Sequence, residues 1–218
     1  MTNIRFAILV AGFLAISQSS GAQPSSAGQG AATAHEFVQD SVTAGLAILN
    51  DVNLTKGQKD TQFRTFLLSL TDLGRIADYT LGPAKQTTSP ADLAAFEDAF
   101  RRFALATYEA EFTKFSGQTL KVVREIPISP NVTMVTTQLI DPHARQRQKP
   151  IEVDFRIFGS RGYFSIGDVT VMDVDLAITA QDQFHEFLWQ HNDNVRALTA
   201  ELTRRTDRMT ATGLVGDK

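Results

Sequence analysis

The chain contains no cysteine, which excludes disulfides, thiol nucleophiles, cysteine metal sites and a lipidated amino-terminal cysteine. One tryptophan and three tyrosines stand against 15 phenylalanines, so the aromatic mass carries few polar handles. No apolar run approaches the roughly 20 residues needed to cross a hydrocarbon core. A phosphate-binding glycine loop, a dinucleotide fingerprint and a Gly-x-Ser-x-Gly elbow are all missing. The four histidines, His35, His143, His185 and His191, are scattered. His185-Glu186 followed by His191 resembles a zinc helix only superficially, because histidines six apart do not share a helical face as a pair four apart does. Neither a metal site nor a catalytic group is expected, and no cofactor. Basic residues are also in deficit, at 21 against 24 acidic, which gives no footprint for nucleic acid.

What is present begins with a secretory pattern. Arg5 precedes an apolar run of eleven, FAILVAGFLAI, and Ser20-Gly21-Ala22 places small residues where a signal peptidase reads them. Cleavage is expected after Ala22, with the mature protein starting at Gln23 in the periplasm. Loss of Arg5 leaves 20 basic residues against 24 acidic ones, a net charge of −4. Residues 23–33, QPSSAGQGAAT, read as a flexible leader. Residues 34–206 read as one domain and 207–218 as a disordered tail.

The domain opens with helical periodicity. Val38, Val42, Leu46 and Leu49 mark a first helix. Thr55 caps a second, whose stripe of Phe63, Phe66, Leu67 and Leu70 continues through Leu73 and Ile76 to a stop at Leu81-Gly82-Pro83, with a bend at Gly74. Ser89-Pro90, with Asp92 in the first turn, starts a third helix reaching about Phe115. Its stripe holds Leu93, Phe96, Phe100, Phe103, Phe112 and Phe115, with Tyr108 near it.

Beyond Gly117 the period changes to two. Leu120, Val122 and Ile126 share one face of a strand, and Val132, Met134 and Ile140 mark a second. Ile151, Val153, Phe155 and Ile157 alternate with Glu152, Asp154 and Arg156 in the third, and Phe164 to Val171 form the fourth. Helical pattern resumes near Thr179 and runs through Phe184, Phe187, Leu188, Val195, Leu198 and Leu202.

The fold class is therefore α+β, with N-terminal helices, a four-stranded antiparallel sheet in meander order and C-terminal helices. An apolar cavity is expected between helices and sheet. From periodicity alone its candidate walls are Phe66, Leu70, Leu73, Ile76, Phe100 and Phe103 on helices, with Val153, Phe155, Ile157, Val169 and Val171 on strands. Helices on a curved antiparallel sheet also describe cone-shaped isomerase folds, in which Asp168 with Tyr108 would be the acid–base pair. An anchoring role for Asp168, on a turn or a backbone amide, is preferred. Asp173 and Asp175 read as a solvated loop. Asp72 and Arg75, three apart, read as a local cap or ion pair.

Three motifs in this order resemble the MlaC, or toluene-tolerance, family of periplasmic phospholipid-binding proteins. They are Asp72-Leu73-Gly74-Arg75-Ile76-Ala77-Asp78-Tyr79-Thr80-Leu81-Gly82, the helix of Phe96, Phe100 and Tyr108 leading to Gly117, and Ile166-Gly167-Asp168-Val169-Thr170-Val171 followed by Leu176 and Phe184. The resemblance covers roughly residues 36–205. It departs at Asp173 and Asp175, where the family has Gly and Ser, at Gln181 in place of Arg, and at Ala84-Lys85, where a tryptophan is missing. The stretch 176–202 looks more like the hopanoid-associated branch. The resemblance implies a non-enzymatic lipid carrier for a phospholipid or hopanoid. Its implied partners are an inner-membrane ABC transporter complex and an outer-membrane lipid-transfer partner.

Overall fold

The computed structural model describes residues 30–112, 117–142, 151–160, 162–172 and 174–211. The expected signal segment 1–22, most of the leader, His143, Phe115, Asp173 and residues 212–218 lie outside the described residues, as does the side chain of Phe112.

Helix α1 (Ala34–Asn50) starts at Thr33, whose hydroxyl accepts from the Glu36 amide at 3.1 Å. Ala31 is already buried, so order begins inside the expected leader. Helix α2 (Lys56–Leu70) opens on a capping box formed by Thr55 and Gln58. The chain then breaks at Thr71, not at Gly74. Thr71 is extended and forms a parallel bridge with Ile166, and Asp72 caps α3 (Leu73–Leu81) by accepting from the Arg75 amide at 3.0 Å. The expected bend at Gly74 fails because a capping side chain and a strand partner, two residues earlier, satisfy the backbone better than a helical glycine needs. Gly82 ends α3 with φ of 59°, a conformation that glycine adopts without strain. After a 3-10 turn (Gly82–Thr87), α4 (Pro90–Phe112) begins at Ser89, whose hydroxyl accepts from the Asp92 amide at 3.2 Å.

Five strands, one more than expected, form an antiparallel meander: β1 (Thr119–Ser129), β2 (Val132–Ile140), β3 (Ile151–Ser160), β4 (Tyr163–Val171) and β5 (Val174–Asp175). The additional strand is only two residues long, too short to show a period. A register shift between Val122 and Arg124 overturns the expectation that Leu120, Val122 and Ile126 share a face. Leu120 and Val122 are buried, whereas Ile126 is turned outward and exposed. The C-terminal run is two helices, α5 (Leu176–Gln190) and α6 (Val195–Ala211). They are separated where Asn192 and Asp193 take positive φ. Helix α6 continues five residues past the expected domain boundary at 206.

The apolar residues form two separate clusters. One packs Phe37, Val38, Val42 and Leu46 of α1 and Leu70 of α2 onto Leu120, Val122, Val135, Leu139, Val153, Ile157 and Val171 of the sheet. The other joins α3, α4, α5 and α6 through Ala77, Leu81, Phe96, Ala99, Phe100, Phe184, Leu188, Val195, Leu198 and Leu202. Helix α1 therefore fills the sheet face on which a lipid cavity was expected. The helical cluster sits instead against β4, which is bonded to β3 on one side and, on the other, only to Thr71 and the two residues of β5.

Candidate functional site: an apolar cavity between the two cores

A cavity of about 120 Å³ lies where β4 meets the helical cluster. Helix α4 contributes Phe100, Phe103, Ala104, Thr107 and Tyr108, spaced i, i+3, i+4, i+7 and i+8, one continuous helical stripe. Leu176, Ala177, Ala180, Gln183 and Phe184 repeat nearly the same spacing on α5. Thr71, Ile76, Ile166, Asp168 and Val169 complete the wall. Ala104, Ala177 and Ala180 are the reason that space remains. Protein interiors are close-packed unless facing side chains are too short to meet, and these three alanines all lie on the lining. Phe96, Phe100 and Phe184 lock together with ring centroids 6.1–6.2 Å apart, Phe184 being edge-on to both of its partners, so the aromatic residues support the cavity rather than fill it.

Two of the motifs singled out in the sequence meet here. The Thr71–Ile166 bridge joins their starts. The Arg75 guanidinium lies 3.8 Å from the centroid of Phe158. The Phe158 ring also covers Gly167, where a Cβ would come within 2.1 Å of a ring carbon. Gly167 also supplies the extra residue of a β-bulge, because Arg156 pairs with Asp168 and Ile157 with Ile166. The glycine of the third motif and the arginine of the first thus stack against the same ring.

Asp168 is the buried acid of the site. Its Oδ1 accepts from the amides of Val169 at 2.8 Å and Ala177 at 3.2 Å, tying β4 to the first turn of α5. The anchoring role expected of it is what the geometry shows. Asp175 stands beside it and caps α5 through the Ile178 amide at 2.8 Å, with Arg156 at 3.7 Å. Burial first, and then the neighbouring Asp175, push the Asp168 carboxyl up to about 7, against the two amides that favour its charge. Burial, with a smaller contribution from Asp168, pushes the Tyr108 hydroxyl up to about 12. The acid–base pair of the isomerase alternative is therefore present on the wall, but the acid is engaged by backbone.

Of the eleven candidate wall residues, Ile76, Phe100, Phe103 and Val169 line this cavity. Leu70, Val153, Ile157 and Val171 are buried in the sheet-side core, with Phe66 and Phe155 packed against it. Leu73 is buried away from the lining. The alternation of β3 correctly places Val153, Phe155 and Ile157 on the inner face, but α1 occupies that face. The contribution of α5 was missed in the sequence. Its signal was the i, i+4, i+7, i+8 set from Leu176, hidden because Ala180 and Gln183 in it carry little hydrophobic weight. His191, considered as a metal ligand, stacks on Phe187 at 3.9 Å at the end of α5, with its Nδ1 2.7 Å from the Phe187 carbonyl oxygen.

A search of curated proteins finds no match. Among solved structures, a phospholipid-binding protein from Ralstonia solanacearum, determined in complex with a phospholipid, has a similar fold. Its TM-score is 0.69 at 20% identity, over 81% of this chain and 98% of that one. The family model described as MlaC protein matches residues 39–204, which takes in all six helices except the ends of α1 and α6, and the whole sheet. The chain belongs to the MlaC family.

Proposed function

We propose that the protein is a periplasmic carrier that holds the acyl chains of a phospholipid, or the apolar body of a hopanoid, in the cavity between β4 and helices α3, α4 and α5. The observation that carries this reading is the gap itself, an unfilled and largely apolar space at the seam between two closed cores. Two acyl chains of about 15 methylenes each would cost roughly 24 kcal/mol to keep in water at about 0.8 kcal/mol per methylene. A carrier offsets this with apolar walls and needs no reacting group. The phospholipid bound to the Ralstonia solanacearum protein of similar fold supports the same reading.

At about 120 Å³ the cavity is below the roughly 300–1,000 Å³ of ordinary ligand pockets. Loading therefore requires the helical cluster to part from β4. That seam is crossed by the chain at Thr71–Asp72, the chain from α4 to β1, the β5–α5 junction with its Asp168 anchor, and the ion pair of Arg64 on α2 with Glu109 on α4, whose Oε1 accepts from Arg64 Nε at 2.7 Å. Each core can stay intact while the seam widens. In this account segment 1–22 is an export signal. The lipid passes between an inner-membrane ABC transporter complex and an outer-membrane partner.

The test is to express the full-length chain, recover the mature protein from fractionated cells, sequence its amino terminus and identify by native mass spectrometry what it carries. A start near Gln23 in the periplasmic fraction with bound lipid is expected. Intact Met1 in the membrane fraction, or protein without lipid, would overturn the proposal.

A further inference from the structure

Tyr108 is out of keeping with its surroundings. The chain uses phenylalanine for most of its aromatic packing, and the other two tyrosines, Tyr79 and Tyr163, are 48% and 79% exposed at the surface. Tyr108 alone sits deep in the domain, on the α4 stripe of Phe100, Phe103 and Ala104, against the cavity. It is nevertheless only half-buried by surface area. Both hold together when the surface it keeps is the surface it presents to the cavity. Its hydroxyl has no hydrogen-bond partner among the described residues. Asp168 influences it only at a distance, because Oδ1 of that carboxyl is held by the amides of Val169 and Ala177 and its nearest polar neighbour is Asp175. The hydroxyl of Thr107, one residue earlier, is already donated to the Phe103 carbonyl at 2.8 Å.

A phenylalanine would pack the same ring on the same stripe, so packing alone does not call for the hydroxyl. The hydroxyl is therefore placed for something that enters the cavity. With its proton held to about 12, it is a donor at any physiological pH, so its counterpart is an acceptor oxygen. The geometry points to Tyr108 as the hydrogen-bond donor to the ester carbonyl of an acyl-chain lipid, fixing where along the cavity the junction between head and tails comes to rest. This rests on the carrier reading and sharpens it. The site would select ester-linked acyl lipids over ether-linked or purely hydrocarbon ones of equal length, because only the former bring a strong acceptor to that position. The remaining walls are apolar and blind to the difference.

The variant Tyr108→Phe removes the hydroxyl and keeps the ring. Delipidated wild type and variant would each be equilibrated with vesicles of dipalmitoylphosphatidylcholine or of its dihexadecyl ether analogue, and lipid loading read by native mass spectrometry beside the melting temperature. One neutral hydrogen bond corresponds to about a fivefold change in loading. The variant is expected to lose about fivefold on the ester lipid, to load the ether lipid as wild type does, and to melt at an unchanged temperature. Comparing the two lipids across the two proteins cancels their different escape from the vesicle. Equal losses on both lipids would make Tyr108 ordinary wall, and no change on either would leave its hydroxyl without a role; both results overturn the inference and leave the carrier reading standing. Wild type that loads neither lipid would overturn the phospholipid form of the carrier reading, and this inference with it.

Discussion

Enlarging a valine to tryptophan should have opposite consequences at two positions that alternation along the strands makes look alike. Val153 is 2% exposed, locked between Thr137 and Val171 in the sheet register and covered by α1. An indole there must displace packed neighbours, and overpacking of this kind costs about 1–3 kcal/mol. For a domain of this size each kcal/mol lowers Tm by about 2–4 °C. Val169 pairs with Phe155 on the same face, yet it borders the cavity, so the added ring has empty space to enter. If it displaces three methylenes of a bound chain, binding weakens by about 2.4 kcal/mol, or about 60-fold. Val169→Trp should therefore keep its Tm and lose its lipid, whereas Val153→Trp should lose several degrees and keep its lipid per folded molecule. Differential scanning fluorimetry and lipid extraction on the same samples separate the two. A Val169→Trp protein that is strongly destabilised but still loaded would show that the gap beside β4 is ordinary core, and the reasoning would fail.

Between about pH 4 and pH 7 stability should fall as pH rises. The Asp168 carboxyl titrates higher folded than unfolded, so across that window the folded state holds more protons and deprotonation works against it. Asp168→Asn keeps an oxygen for the Val169 and Ala177 amides and cannot ionise, so its Tm should be flatter from pH 5 to 8. An Asn variant that tracks wild type across that range would remove Asp168 as the source. Gly167→Ala should cost about 1–3 kcal/mol, because its Cβ would lie 2.1 Å from the Phe158 ring that Arg75 covers; an unchanged melting temperature would refute that stack.

The succession of helices, meander and helices was legible because its signals are local: the Thr55 and Ser89-Pro90 caps, the Gly82 stop and the alternation from Ile151 to Ile157. Interruptions that depend on distant partners were not. Thr71 leaves the helix to bridge Ile166, and Ile126 changes face because of a bulge at Val123. Four of the eleven candidate wall residues line the cavity, and the rest miss it for the same reason. Periodicity tells that Val153 and Val169 share an inner face, but not that α1 fills the space over one and stops short of the other. The α4 stripe was visible through Phe100 and Phe103. The α5 wall was not, because a cavity is made as much by small residues such as Ala177 and Ala180 as by large ones, and alanines leave little trace in a hydrophobic pattern.

The central claim is that acyl chains lie between β4 and helices α3, α4 and α5. A crystal structure of the protein as purified, with whatever lipid it carries, tests it most directly. Continuous tail density is expected between Val169 and Ile166 on one side and Phe103, Ala104 and Ala180 on the other, with both cores intact and the seam between them widened. Tail density under α1, or a lipid-bearing protein with this seam closed, would contradict it.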